Sequence, residues 1–389
     1  MLDKANELQP LMVKWRRDFH KNPELGFEEH RTAARLAEIL TELGYKVRSE
    51  VGGTGLVARI GTEKPLVGIR ADMDALPIYD EKDVPYKSTV DGVMHACGHD
   101  AHMAIALGAA KLLSEIDLPG SVQFIFQPAE EIQDEEGFSG APRMIAAGAL
   151  EGLDCILALH VDASRPTGEI GLMNEYAGAG VDSFFVRIRG KGGHGATPDR
   201  VIDPIFLSGH VILAIHGIIS RRLWPFDPAV ISIGSIHGGS ASNIIPSEVE
   251  LTGTIRFHDP EVQETIHQEL ERALDIACTL GGDYDLEIMK GYPPMENDPA
   301  IVALLGAVAS EIIGPDLVTE PDPEMGSEDF AYMLEKIPGA MFFLGCRIEG
   351  DTRRHHDPHF DIDEACLPYG AALFVTTALK YMEQVKRKK

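Results

Sequence analysis

Within nine residues, Met94 to His102 brings together one thiol, Cys97, and three imidazoles, His95, His99 and His102; Gln127, Pro128, Ala129, Glu130 and Glu131 follow soon after. Thiolate sulfur, imidazole nitrogen and carboxylate oxygen are the donors a hydrolytic metal site uses, and hydrolysis also needs a base that is not itself a ligand. Two adjacent glutamates can divide those tasks. Cys97 and His99 can face one point if the intervening Gly98 allows the turn. Taken alone, that pair reads as a small buried cysteine beside an incidental histidine. The company of His95, His102, Glu130 and Glu131 argues for a metal site instead. Two carboxylates at the buried end of an apolar strand repel each other unless a cation lies between them. Asp134, Glu135 and Glu136 read as an ordinary solvated face.

The elements that must position these groups follow from periodicity. Apolar residues recur at helical spacing from Asn6 to Phe19 and from Glu28 to Leu43, where Gly44 stops the run. Short β-branched runs at Gly55 to Ile60, Leu66 to Ala71, Val122 to Phe126 and Cys155 to Leu159 read as strands, with helical segments at Ala101 to Ile116 and Ala141 to Ala147. The pattern is α/β, and it predicts a mostly parallel sheet covered by helices. The strand ends lead into Asp72 and Asp74, into Glu130 and Glu131, and into His160, so the polar groups gather at the carboxyl edge where such sheets bind ligands.

From Val181 the order becomes strand, helix, strand, strand, helix, strand: Ser183 to Arg189, Asp203 to Arg221, Ala229 to Ile236, Glu248 to Phe257, Pro260 to Leu280, Tyr284 to Lys290. This βαββαβ order predicts an inserted α+β ferredoxin-like unit. The expected organisation is a catalytic domain over 1–180 and 294–389 with the insert at 181–293. Helices at Pro299 to Ile313, Glu328 to Lys336 and Ala365 to Val385, with a strand at Met341 to Leu344, complete the first domain.

Composition narrows the function. The 389 residues suit two domains, and 61 acidic against 35 basic residues give a net charge of −26, which disfavours nucleic acid and anionic lipid. The five cysteines are odd in number and scattered, as expected of reduced thiols in the cytoplasm. The start lacks the character of a secretory signal, and no apolar run is expected to span a membrane. The basic end, Lys386 to Lys389, reads as a solvated helix terminus. Two glycine-rich turns in the insert, Gly190 to Gly195 and Gly238 to Asn243, carry His194 and Asn243.

Taken in order, Arg70 to Pro77, Met94 to His102, Gln127 to Glu131, Gly190 to Pro198, Met325 to Phe330 and His356 to Phe360 resemble the M20 metallopeptidase family, and within it the amidohydrolase branch. The resemblance implies two divalent ions bound by Cys97, His99, Glu131, His160 and His356, with Cys97 bridging and Glu130 as general base. Zinc, manganese, cobalt and nickel all suit that donor set. The resemblance makes Asp74 a residue that orients an imidazole, and prefers His356 over its neighbours His355 and His359. It makes the insert a lid and dimerisation domain of a homodimer. His194 would then stabilise the oxyanion, in cis or in trans, while Asn243 and Arg256 hold a substrate carboxylate. For Arg256 a surface ion pair competes evenly with that role.

The implied reaction is hydrolysis of the amide bond of a small N-acyl-amino acid. Two rivals are a carboxypeptidase cutting C-terminal residues from peptides and a non-catalytic metal-dependent binding protein, which would require a missing base or ligand.

Overall fold

The computed structural model describes every residue except Pro323 and Lys389. Its contacts divide the chain into two compact units: Met1–Ala177 with Glu296–Asp322 and Tyr332–Lys389, and Gly178–Met295 with Pro323–Ala331. The second unit therefore takes in a short segment near 323–331 that the sequence reading leaves with the first.

The first unit is mixed α/β around an eight-stranded sheet, in the order Lys46–Arg48, Leu56–Ile60, Ser121–Gln127, Leu66–Asp72, Cys155–Pro166, Gly339–Arg347, Ile170–Gly171, Val318–Thr319. The central strands pair in parallel, but Leu56–Ile60 runs antiparallel to Ser121–Gln127, so the sheet is more mixed than expected. The reason is chain length. Gly61 to Pro65 is too short for the crossover that a parallel return from Leu56–Ile60 to Leu66–Asp72 would need.

Leu66–Asp72 and Ser121–Gln127 are buried along their whole length. The helix His99–Ser114 is buried on nearly every side, packed between the sheet and the helices Leu2–Lys21 and Leu367–Lys388. Gly108 admits the close approach of the first helix, since a Cβ there would lie 2.3 Å from Met12 Sδ. This helix begins at His99, two residues before the expected start, so that histidine sits in the first turn.

The strand expected to end at Leu159 continues to Pro166, which places His160 inside it, opposite Phe343. Val161 and Ala163 are buried while His160, Asp162 and Ser164 are partly open, a period-two pattern that prolongs the strand. Conversely, the helix expected over Glu328 to Lys336 is only Ala331–Leu334. Glu328 Oε1 accepts from the backbone N–H of Phe330 at 3.0 Å, a local bond that competes with helix at that end.

The second unit holds a four-stranded antiparallel sheet, ordered Ala229–His237, Glu248–Phe257, Gly180–Arg189, Asp283–Lys290, with the helices Pro204–Arg221 and Pro260–Thr279. Both helices start at Asp-Pro. Asp203 accepts from the N–H groups of Ile205 and Phe206, Asp259 from Glu261, and proline at the first helical position has no donor to lose. Leu207, Val211, Ile215 and Ile218 bury one stripe of Pro204–Arg221 against the sheet. Its outer side is apolar too, with Phe206 58% and Leu213 74% exposed. Against the sequence expectation, this 18-residue helix is long and apolar enough to cross a membrane by length and composition.

Candidate metal centre

Gly98 sets the geometry of the thiol and the first imidazole. It caps the helix at φ +96°, and a Cβ there would lie 2.3 Å from Val161 Cγ2. Only glycine fits both the conformation and the space. Cys97 and His99 are thereby turned toward His160, whose Nε2 lies 3.5 Å from Cys97 Sγ. One donor atom from each of Cys97, His99 and His160 falls within 4.8 Å of the others, and the same holds for Cys97, Glu131 and His356 and for His99, Glu130 and Glu131.

The rings of His99 and His160 are oriented from behind. His99 Nδ1 donates to Asp74 O at 2.9 Å and approaches Asp74 Oδ1 at 3.2 Å, leaving Nε2 buried with no hydrogen-bond partner. His160 Nδ1 donates to Val161 O at 2.7 Å, so its Nε2 also faces the cluster. Asp74 further accepts from the N–H of Glu131 at 3.0 Å and so ties two donor-bearing loops together. His356 adopts φ +67°, donates its N–H to Ala96 O at 2.8 Å, and brings Nε2 within 3.0 Å of Glu131 Oε1.

Two of the neighbouring histidines are engaged elsewhere. His355 Nδ1 donates to Cys97 O at 3.1 Å while its Nε2 accepts from Ala163 N–H at 3.3 Å. His102 Nδ1 donates to Asp72 Oδ1 at 2.6 Å and its Nε2 accepts from Val161 N–H at 2.9 Å. With both nitrogens occupied, neither ring offers a lone pair to an ion. His95 lies in the core, and His359 lies half exposed near Glu81 and Asp357. Asp72 also accepts from Arg70 Nη1 at 2.6 Å, and Arg70 Nε reaches Gln127 Oε1 at 2.9 Å, bracing the ends of two central strands.

The electrostatics are those of an anion-rich cage. Hydrogen bonds to Cys97 and Glu131 push the His356 imidazole up to about 10. Burial works against charge on His99, yet Asp72 and Asp74 hold it well above the usual histidine range. Burial and the Glu131 charge push the Cys97 thiol up. At Glu131 burial is outweighed by His356 and His99, which keep its carboxyl low. A group of donors that draws protons onto its imidazoles is one a divalent cation would stabilise in their place. The orphaned His99 Nε2 and the mixed sulfur, nitrogen and oxygen set both fit such an ion.

Residues 68–380 match the peptidase family M20/M25/M40. The chain belongs to that family. It is 40% identical to thermostable carboxypeptidase 2 of Saccharolobus solfataricus, over 97% of each chain. It is 37% identical to the N-acetyl-L-cysteine deacetylase of Bacillus subtilis, over 98% of this chain and 91% of that protein. Among solved structures it resembles the YXEP protein of Bacillus subtilis, a dinuclear metal-binding peptidase of the M20 family, with a TM-score of 0.85 and 32% identity over 97% of this chain and 99% of that one. Like other M20 proteins, this one is a hydrolase acting on amide bonds.

In the second unit, Gly193–His194 pairs with Ile244–Ile245, and Gly195 N–H donates to Asn243 O at 2.9 Å, so His194 and Asn243 share one small ribbon. His194 is exposed, and its Nδ1 accepts from Ala196 N–H at 3.0 Å, leaving Nε2 as the outward N–H. Arg256 lies on the strand Glu248–Phe257, where Nη1 donates to Ser327 Oγ at 2.9 Å and to Met325 O at 3.4 Å. No carboxylate pairs with it among the described residues.

Sequence reasoning missed the roles of His355 and of the Arg70–Asp72–His102 chain. The signal available was only their proximity to the donors. Which nitrogen meets which backbone group is a tertiary property.

Proposed function

We propose that this protein hydrolyses the amide bond of small N-acyl-L-amino acids, with two divalent ions that Cys97, His99, Glu131, His160 and His356 would hold. The observation that carries this reading is the cluster itself. Three overlapping donor groups share Cys97, His99 and Glu131, and Glu130 stands beside His99 and Glu131. Bound there, such ions would supply Lewis acidity, lowering the pKa of water from ~15.7 toward about 7 and polarising a carbonyl. Zinc, cobalt, nickel and manganese all suit the donors.

Glu130 is the general base: its carboxylate takes a proton from the attacking water and returns it to the departing amine nitrogen. Asp74 fixes the ring of His99 and the backbone of Glu131. His194, with its Nε2 N–H turned outward, donates to the charge that grows on the carbonyl oxygen, in cis or in trans. Arg256, free of any paired carboxylate among the described residues, and Asn243 hold the substrate's free carboxylate.

The second unit acts as lid and as contact for a homodimer. The exposed Phe206 and Leu213 on the helix Pro204–Arg221, and Ile236 on the outer strand Ala229–His237, support a partner there. All five cysteines are free thiols, which supports a cytoplasmic location. The net charge of −26 supports a small-molecule substrate rather than nucleic acid or a membrane.

Carboxypeptidase action is the second reading, favoured by the likeness to the Saccharolobus enzyme. Both reactions place a free carboxylate beside the scissile amide. Acetyl, benzoyl and peptidyl derivatives of one amino acid, compared by kcat/KM, separate them. The acyl derivatives are expected to exceed the peptides by at least about tenfold, roughly the size of one small pocket contact. Peptides preferred over both acyl derivatives would favour the second reading.

A further inference from the structure

The turn that carries the two glutamates is held from the N-terminal segment, by a carboxylate with no role in the chemistry above. Ala129 has φ +45°, a left-handed conformation that a residue with a Cβ rarely adopts. It precedes Glu130 directly, so its peptide sets the directions in which Glu130 and Glu131 leave the strand Ser121–Gln127. Glu29 Oε1 accepts from the Ala129 N–H at 2.8 Å, and Glu29 Oε2 accepts from the Thr54 hydroxyl. The other side of the turn is closed by Gly140, whose N–H donates to Ala129 O at 2.9 Å.

Glu29 is fully buried, and no cation pairs with it among the described residues. Burial raises its carboxyl to about 7 despite the Thr54 bond, and the Asp74 charge adds to that. A buried carboxylate beside another one is a costly way to satisfy one N–H and one hydroxyl, so a reason other than stability is called for. The surrounding contacts show where that reason lies. Gly26 lets the segment lie against the turn, since a Cβ there would be 2.6 Å from Ile132 Cγ1 and 3.0 Å from Ala129 Cβ. In the same segment, Glu24 O accepts from Ala75 N–H at 2.8 Å, next to Asp74.

We infer that Glu29 is a positioning residue: by clamping the Ala129 N–H it fixes the left-handed turn that lets two consecutive glutamates serve as ligand and base. The inference rests on the proposed roles of Glu131 and Glu130 and goes beyond them.

The test compares wild type with Glu29→Gln, which keeps an acceptor for the Ala129 N–H, and Glu29→Leu, which fills a similar volume without one. Two quantities are read: Co²⁺ affinity of the metal-free protein, and hydrogen exchange of the Ala129 amide. Glu29→Leu is expected to weaken Co²⁺ binding by about 10- to 100-fold, the range seen for residues that orient ligands, with Glu29→Gln close to wild type. Exchange at Ala129 should accelerate in Glu29→Leu alone. If Glu29→Leu does not fold, Glu29→Gln still decides: near-normal affinity and protected exchange support the clamp, and loss of either overturns it. Equal exchange in all three proteins, or equal Co²⁺ affinity, also overturns it. Wild type that takes up no Co²⁺ overturns the proposed function, and the exchange result then judges the clamp alone.

Discussion

The donors of the first unit and the polar groups of the second are built on opposite plans. Around Cys97, each donor histidine is held by a second bond: Asp74 behind the His99 ring, Val161 O behind the His160 ring, and Ala96 O on the backbone N–H of His356. His194, by contrast, is exposed on a two-residue strand, and one bond from Ala196 fixes its ring. Arg256 is held by a hydroxyl and a carbonyl instead of a charge. A rigid cage suits ions that must be held in one geometry, and lightly held groups suit a substrate that arrives and leaves. The difference says that errors in the first unit should abolish chemistry, whereas errors in the second should tune it.

The largest effect tests the division of labour between the two glutamates. Glu130→Gln keeps shape and removes the proposed base, so kcat should fall by about 10²- to 10⁴-fold while metal content, measured by elemental analysis, stays at the wild-type level. Near-normal turnover would break the comparison at its strongest point. Smaller losses are expected in the second unit. His194→Ala should lower kcat by about 10²- to 10³-fold with metal content intact, as for loss of one oxyanion donor. Arg256→Ala should mainly raise KM, by about 10- to 100-fold, consistent with a lost hydrogen bond to a charged group of about 1.5–3 kcal/mol. A fall in kcat without a change in KM would show that Arg256 acts on the transition state, and metal loss in either variant would show that the two plans are not separate.

Much of this was legible in the sequence because ligand chemistry is local at Cys97, Gly98 and His99. Strand and helix starts were legible where turn chemistry is explicit, as at Asp203–Pro204 and Asp259–Pro260. The extension of the strand through His160 was not, because alternation from His160 to Ser164 is weak beside the apolar run before it. Adjacent His355 and His356 look equivalent as letters. They differ only because the Cys97 carbonyl and the Ala163 amide occupy both nitrogens of the first. Glu29 carries no signal of its place in the sequence, since nothing local says that its carboxylate turns inward to residue 129, one hundred positions along the chain.

The most direct test of the cage is a Co²⁺ titration of metal-free protein, followed by absorption, in wild type and in Cys97→Ser. Wild type should take up about two equivalents and develop a thiolate-to-cobalt charge-transfer band, with the band lost in Cys97→Ser. Uptake of no Co²⁺, or a spectrum unchanged by the substitution, would contradict a cation centre built on Cys97.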